Sequence, residues 1–116
     1  MSTNRLPSSV QGCREQVREY CAKLAASNLA SGTSGNISVF DPESRLCAIS
    51  PSAMDYQRMT AADVVVLDSD GAIVAGERRP SSEAGLHLAC YRARADLRAV
   101  VHTHSVAATS VAVLGR

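Results

Sequence analysis

The 116-residue sequence predicts an α/β fold of αβα type, a mixed or antiparallel central sheet covered by helices. Segments 8–28 and 80–94 place apolar residues at the three- and four-residue steps of an amphipathic helix. Short apolar runs between them come in pairs separated by turn residues, which builds hairpins rather than the single parallel strands of a βαβ repeat. Hydrophobic residues make up 46% of the chain, enough for one modest core, and no internal repeat suggests a second.

Val10, Cys13, Val17, Cys21 and Leu24 form the apolar stripe of the first helix, with Ser8 or Ser9 expected to cap it. A Ser/Gly/Thr cluster at 29–35 marks a turn before a short strand at 37–40. Asp41-Pro42-Glu43-Ser44 turns the chain into a returning strand at 46–50, which Pro51 ends by withholding a ladder donor. One helical turn at 60–63 precedes a β-branched buried strand at 64–67, and Asp68-Ser69-Asp70-Gly71 closes a hairpin onto a weaker strand at 72–75. Pro80-Ser81-Ser82-Glu83 opens the second helix, whose Leu86, Ala89, Cys90 and Ala93 are expected to face a core. A strand at 99–104 follows, and Ser105 is expected to cap a last helix over 106–114. Residues 1–9 are expected to be a flexible N-terminus, and 10–116 a single domain. A last helix that stops while still apolar, with Val111, Val113 and Leu114 uncovered, makes the chain read as the N-terminal part of a longer protein.

Twelve Lys+Arg against eleven Asp+Glu leave a formal charge of +1, so no broad field draws nucleic acid or an anionic membrane. An anionic ligand must be caught locally. Cys13, Cys21, Cys47 and Cys90 are scattered without a C-x-x-C pair, which argues against a disulfide framework or a Cys-rich zinc site. They read as reduced thiols of a cytoplasmic protein. No stretch reaches the ~20 apolar residues needed to cross a bilayer, and the first nine residues lack the apolar run of a signal peptide.

Four short segments could carry chemistry, and each has a plainer reading. His102 and His104 stand two apart on a predicted strand, so both imidazoles project to one side, as two metal ligands would or as two polar residues at a strand end. Ser81 and Ser82 supply hydroxyls and free N–H groups at a helix start, suited to a phosphate or to ordinary capping, with Glu83 complementing the dipole. The loop Gly32-Thr33-Ser34-Gly35-Asn36 lets the backbone approach a ligand, or simply turns. Ser50-Pro51-Ser52 offers two hydroxyls beside a rigid proline, or ends a strand. His87, one turn after Glu83, is expected on the helix flank as a satisfied or exposed side chain rather than a ligand.

Read together and in this order, Gly35-Asn36-Ile37-Ser38, Ile49-Ser50-Pro51-Ser52, Pro80-Ser81-Ser82-Glu83 and Val101-His102-Thr103-His104 resemble the class II aldolase/adducin family. The similarity runs from about Val10 to the last residue and is greatest to members that cleave L-fuculose phosphate. It implies a retro-aldol lyase that splits a ketose 1-phosphate, such as L-fuculose 1-phosphate, into dihydroxyacetone phosphate and an aldehyde. By the same resemblance Asn36, Ser52, Ser81 and Ser82 line the phosphate pocket, with Thr33 to Gly35 shaping its wall. His102 and His104 become ligands of a zinc-type divalent ion, and Glu83 sits at the metal as the acid/base. Removing a proton beside a carbonyl leaves negative charge on two oxygens, which a divalent ion stabilises as a Lewis acid.

Two departures qualify the match. The family usually has glycine where this chain has Ala53, whose Cβ could crowd the phosphate loop. The family's third metal-binding histidine and its catalytic tyrosine come from a later segment that is not in this sequence, and a catalytic zinc site normally has three protein ligands. The chain alone is therefore expected to bind zinc weakly and turn over little. Pentulose-phosphate 4-epimerases and a thioribulose-phosphate dehydratase share the pattern, but the epimerases typically carry aspartate at the position of Glu83. A non-catalytic, adducin-like interaction module is the alternative from another class, disfavoured by the joint presence of His102, His104 and Glu83. Relatives assemble as homotetramers with sites at subunit boundaries, and the full-length form is expected to do the same.

Overall fold

The computed structural model describes residues 6–26, 35–104 and 109–115, and of 104 and 109–115 the backbone alone. The elements are α1 (Ser8–Ala26), β1 (Asn36–Asp41), β2 (Leu46–Ile49), a 3₁₀ turn (Ala61–Asp63), β3 (Val65–Leu67), β4 (Ile73–Ala75), α2 (Ala84–Ala93), β5 (Leu97–His104) and β6 (Thr109–Gly115). The six strands form one sheet in the order β4-β3-β2-β1-β5-β6, and every neighbouring pair is antiparallel.

The sheet separates two cores, because successive side chains of a strand point to opposite faces. On one face Cys13, Val17, Cys21 and Leu24 of α1 pack on Ile37, Val39, Ala48, Val64 and Ala99. On the other, Leu88 and Tyr91 of α2 pack on Cys47, Ile49, Val65, Leu67, Leu97 and Val100. This is the αβα arrangement the sequence predicts.

At the start of α1 the Pro7 carbonyl accepts from the amides of Val10 and Gln11 at 3.0 and 3.1 Å. Ser9 donates instead to Asp41 at the end of β1, 2.9 Å away. Arg14 reaches under the helix, donating from Nε to Val64 O and from Nη2 to Ala62 O, both at 3.0 Å. That pins α1 to the entry of β3.

Two expectations are corrected. Residues 109–115 form strand β6 rather than the end of a helix, paired from Leu97↔Gly115 to His104↔Thr109. Thr109, Val111 and Val113 are spaced for a strand, and β5 without β6 would leave a row of backbone groups unpaired. Ser105 and residues 106–108 lie outside the described residues. Helix α2 is also rotated from the expected face: His87, Leu88 and Tyr91 are buried, whereas Leu86, Ala89 and Ala93 are exposed and Cys90 is half-buried. The polar groups of His87 and Tyr91 find partners on the sheet, which Leu86 and Ala93 do not offer. Among the described residues no helix is long and apolar enough to cross a membrane.

Candidate active site

Loops 50–53 and 79–82 are tied together at one end of the sheet. Pro51 and Pro80 form an isolated antiparallel bridge. Ser52 N donates to Arg79 O at 2.8 Å, and Ser81 N donates to Ser50 O at 3.0 Å. Two serine-bearing turns, with Ser52 and Ser81 lying 29 positions apart in the chain, thus become one rim. Ala53, on this rim, is exposed and takes a φ of 56°. That left-handed conformation disfavours a Cβ, which gives a backbone reason for glycine here.

Ser81 is buried, and its Oγ accepts the Glu83 amide at 3.1 Å. Its carbonyl accepts from Ala84 N at 3.0 Å, so the serine turn leads directly into α2 with Glu83 at the N-cap position. The Ser81 contact thus braces the turn ahead of α2 rather than capping its first helical amides. Ser82 is exposed at the same turn. Glu83, whose side chain retains 36% exposure, reaches toward β5, and its Oε1 lies 3.8 Å from Nδ1 of the nearly buried His102.

His102 on β5 faces Asn36 on β1 as a Cα partner across the sheet. Asn36 is buried, and its Oδ1 lies 2.5 Å from His87 Nε2. Gly35, just before it, is held by the Tyr56 hydroxyl, which donates to the Gly35 carbonyl. Tyr56 also lies 3.2 Å from Ser50 Oγ, which in turn accepts the Ile37 amide at 3.0 Å. Burial pushes the Tyr56 phenol up to about 12, so it stays a neutral clasp. His87, expected on the flank, is fully buried and its Nδ1 sits 2.6 Å from Ser38 Oγ. Burial, and after it the charge of His102, pushes His87 down to about 4. His104 continues β5 two residues beyond His102 and pairs with Thr109; its side chain and Thr33 lie outside the described residues.

Glu83, His102, Asn36, Ser52, Ser81 and Gly35 are thus drawn from four separated segments to one end of the sheet. Sequence reasoning missed Tyr56, Ser38 and Tyr91. The available signal was Ser38, a polar residue between Ile37 and Val39 in an otherwise apolar strand. Imidazole with carboxylate is a donor set that suits a zinc-type ion. Two donors bonded at ~2.1 Å to a tetrahedral ion stand roughly 3.4 Å apart. The observed 3.8 Å is close to that, so the pair fits such an ion. Among the described residues no group of three His, Cys, Asp or Glu could hold a metal. Cys13, Cys21 and Cys47 are buried, and burial raises their thiols to about 11, 12 and 12, out of reach of thiolate chemistry at neutral pH.

The Class II Aldolase and Adducin N-terminal domain matches residues 15–116, and the chain belongs to that family. It is 49% identical over 102 residues to the 5-deoxy-D-ribulose 1-phosphate aldolase of Bacillus thuringiensis serovar kurstaki, a match covering 88% of this chain and 48% of that protein. Its fold superposes on an L-fuculose 1-phosphate aldolase with a TM-score of 0.79 at 39% identity, covering 90% of this chain and 48% of the other. For the L-fuculose-1-phosphate aldolase of Thermus thermophilus the TM-score is 0.66 at 28% identity, with 81% and 48% covered. The chain spans about half the length of these relatives.

Proposed function

We propose that this chain supplies the metal-binding, proton-transferring half of a cytoplasmic sugar-phosphate aldolase that assembles as a homotetramer in its full-length form. The substrate is a ketose 1-phosphate, such as L-fuculose 1-phosphate or 5-deoxy-D-ribulose 1-phosphate, cleaved to dihydroxyacetone phosphate and an aldehyde. The observation that carries this reading is the approach of Glu83 to His102 at 3.8 Å, at a helix start beside two serine turns. The relatives named above support the same chemistry.

His102, His104 and Glu83 would hold a zinc-type divalent ion, with the two-residue spacing on β5 in favour of the histidine pair. Such an ion supplies Lewis-acid stabilisation of the charge that develops beside the substrate carbonyl. In cleavage Glu83 gives a proton to the carbon next to that carbonyl as its bond to the aldehyde carbon breaks, and in the reverse direction removes it; its partial exposure lets the carboxylate reach that carbon. Asn36, Ser52, Ser81 and Ser82, with Thr33, Gly35 and Ala53 in the walls, bind the phosphate. Anchoring the substrate far from the reacting carbon fixes its orientation before proton transfer.

Proton transfer can be read without the rest of the reaction. Dihydroxyacetone phosphate in D₂O with zinc and the chain is expected to exchange one hydroxymethyl C–H for C–D by NMR. Glu83→Gln, which keeps the shape and loses the base, should slow exchange by about 10²-fold or more. Exchange at the buffer rate, or an equally fast variant, would contradict the assignment.

A further inference from the structure

Three buried polar side chains have no part in the chemistry above: Ser38, His87 and Tyr91. They join into one relay beneath Asn36. His87 Nε2 lies 2.5 Å from Asn36 Oδ1, His87 Nδ1 lies 2.6 Å from Ser38 Oγ, and Ser38 Oγ lies 2.7 Å from the Tyr91 hydroxyl. An amide carbonyl only accepts, so Nε2 carries the ring proton. In a neutral imidazole Nδ1 then accepts, the Ser38 hydroxyl donates to it, and Ser38 has lone pairs left to accept from Tyr91. Each proton has one direction, from Tyr91 through Ser38 and His87 to Asn36. His87 and Ser38 have 0% exposure, whereas Asn36 keeps 6% and Tyr91 8%, so the relay surfaces at its two ends, and Asn36 is the end beside the candidate site.

We infer that His87 is a positioning residue: by holding the carbonyl oxygen of Asn36 toward the relay it turns the amide NH₂ to the pocket. Asn36 then meets a ligand as a donor, and selects acceptor oxygens such as those of a phosphate or an oxyanion. An unanchored asparagine could turn either end outward and would select neither. The inference rests on Asn36 being a pocket residue, as proposed above, and names what decides the sign of its contact.

The test is ¹⁵N NMR of the 116-residue chain, followed by titration with dihydroxyacetone phosphate. His87 is expected to show a pyrrole-type Nε2 and a pyridine-type Nδ1, and the Asn36 side-chain NH₂ to shift with the probe. His87→Leu should weaken probe binding about tenfold, the loss of one oriented hydrogen bond. His87→Gln, which can donate and accept at the same two places, should restore most of it. In an Asn36→Ala background, His87→Leu should cost no further affinity. A proton on Nδ1, undiminished binding by His87→Leu, or additive losses in the double variant would each overturn the inference. Should His87→Leu fail to fold, the ring tautomer and His87→Gln still decide. The expected tautomer with an Asn36 NH₂ indifferent to the probe would remove Asn36 from the pocket and defeat the inference, while proton exchange by Glu83 judges the aldolase reading separately.

Discussion

Both faces of the sheet carry an apolar core, but the two sides of strand β1 are built on opposite plans. Ile37 and Val39 face α1 in a core of aliphatic, sulfur and aromatic side chains. Asn36 and Ser38, alternating with them, face α2 and make hydrogen bonds to His87 and Tyr91. Stability on the first face comes from removing apolar surface from water. The second buries Asn36, Ser38, His87 and Tyr91, which is tolerable because these four bond to one another; an unpaired polar group would cost about 1–3 kcal/mol. Period-two geometry thus lets one strand serve as scaffold on one side and as the floor of a candidate site on the other.

Substitutions one residue apart should therefore behave differently. Ile37→Ala opens a cavity under α1 and is expected to lower unfolding free energy by about 2–5 kcal/mol in urea, with dihydroxyacetone phosphate affinity of the folded chain unchanged. Ser38→Ala strands His87 Nδ1 and the Tyr91 hydroxyl, so it should cost about 1–3 kcal/mol and weaken the ligand as well. Equal effects of both on binding would show that the faces are not separate.

Acid should weaken the polar face first. Asp41 gives way only at lower pH, because against the pull of burial hydrogen bonds from Ser44 and Ser9 hold its carboxyl below the usual range. His87 sits near 4 in the folded chain against an ordinary 6.5, so above 6.5 it is neutral whether folded or not. Between 6.5 and 4 the unfolded chain binds a proton that the folded chain does not, and stability falls as pH drops through that window. The loss in the metal-free chain should reach up to about 3 kcal/mol, and His87→Gln should flatten it. An unchanged slope in that variant would assign the acid sensitivity elsewhere.

The smallest effect is expected at the rim. Ala53→Gly relieves the left-handed φ while loosening the unfolded chain, for a net gain of about 1 kcal/mol or less in thermal unfolding. A clear loss would mean that the Ala53 methyl group makes a contact worth more than its strain.

Most of the fold was legible because period and punctuation agree: Val10, Cys13, Val17, Cys21 and Leu24 are all buried on α1. The hairpins were marked by Asp41-Pro42 and by Asp68 to Gly71, whose turns the side chains of Asp41 and Asp68 brace. The last segment was misread because a short apolar run carries no decisive period, and only the open edge of β5 makes it a strand. The face of α2 was misread because an apolar count ignores polar residues whose partners lie on another element. For the same reason His87 looked peripheral: its partners, Asn36 and Ser38, are 51 and 49 positions away. The members of the candidate site were named by motif, but their meeting depends on the Pro51–Pro80 bridge and the β1–β5 register, which no local pattern encodes.

Whether Glu83 and His102 act on one ion is most directly decided by titrating the metal-free chain with zinc, following the His102 imidazole nitrogens and the Glu83 carboxylate carbon by NMR. Both signals should move together along one saturable curve, with weak affinity, and the Glu83 response should vanish in His102→Ala. Zinc binding that moves neither group, or that leaves Glu83 equally responsive in His102→Ala, would contradict a shared site.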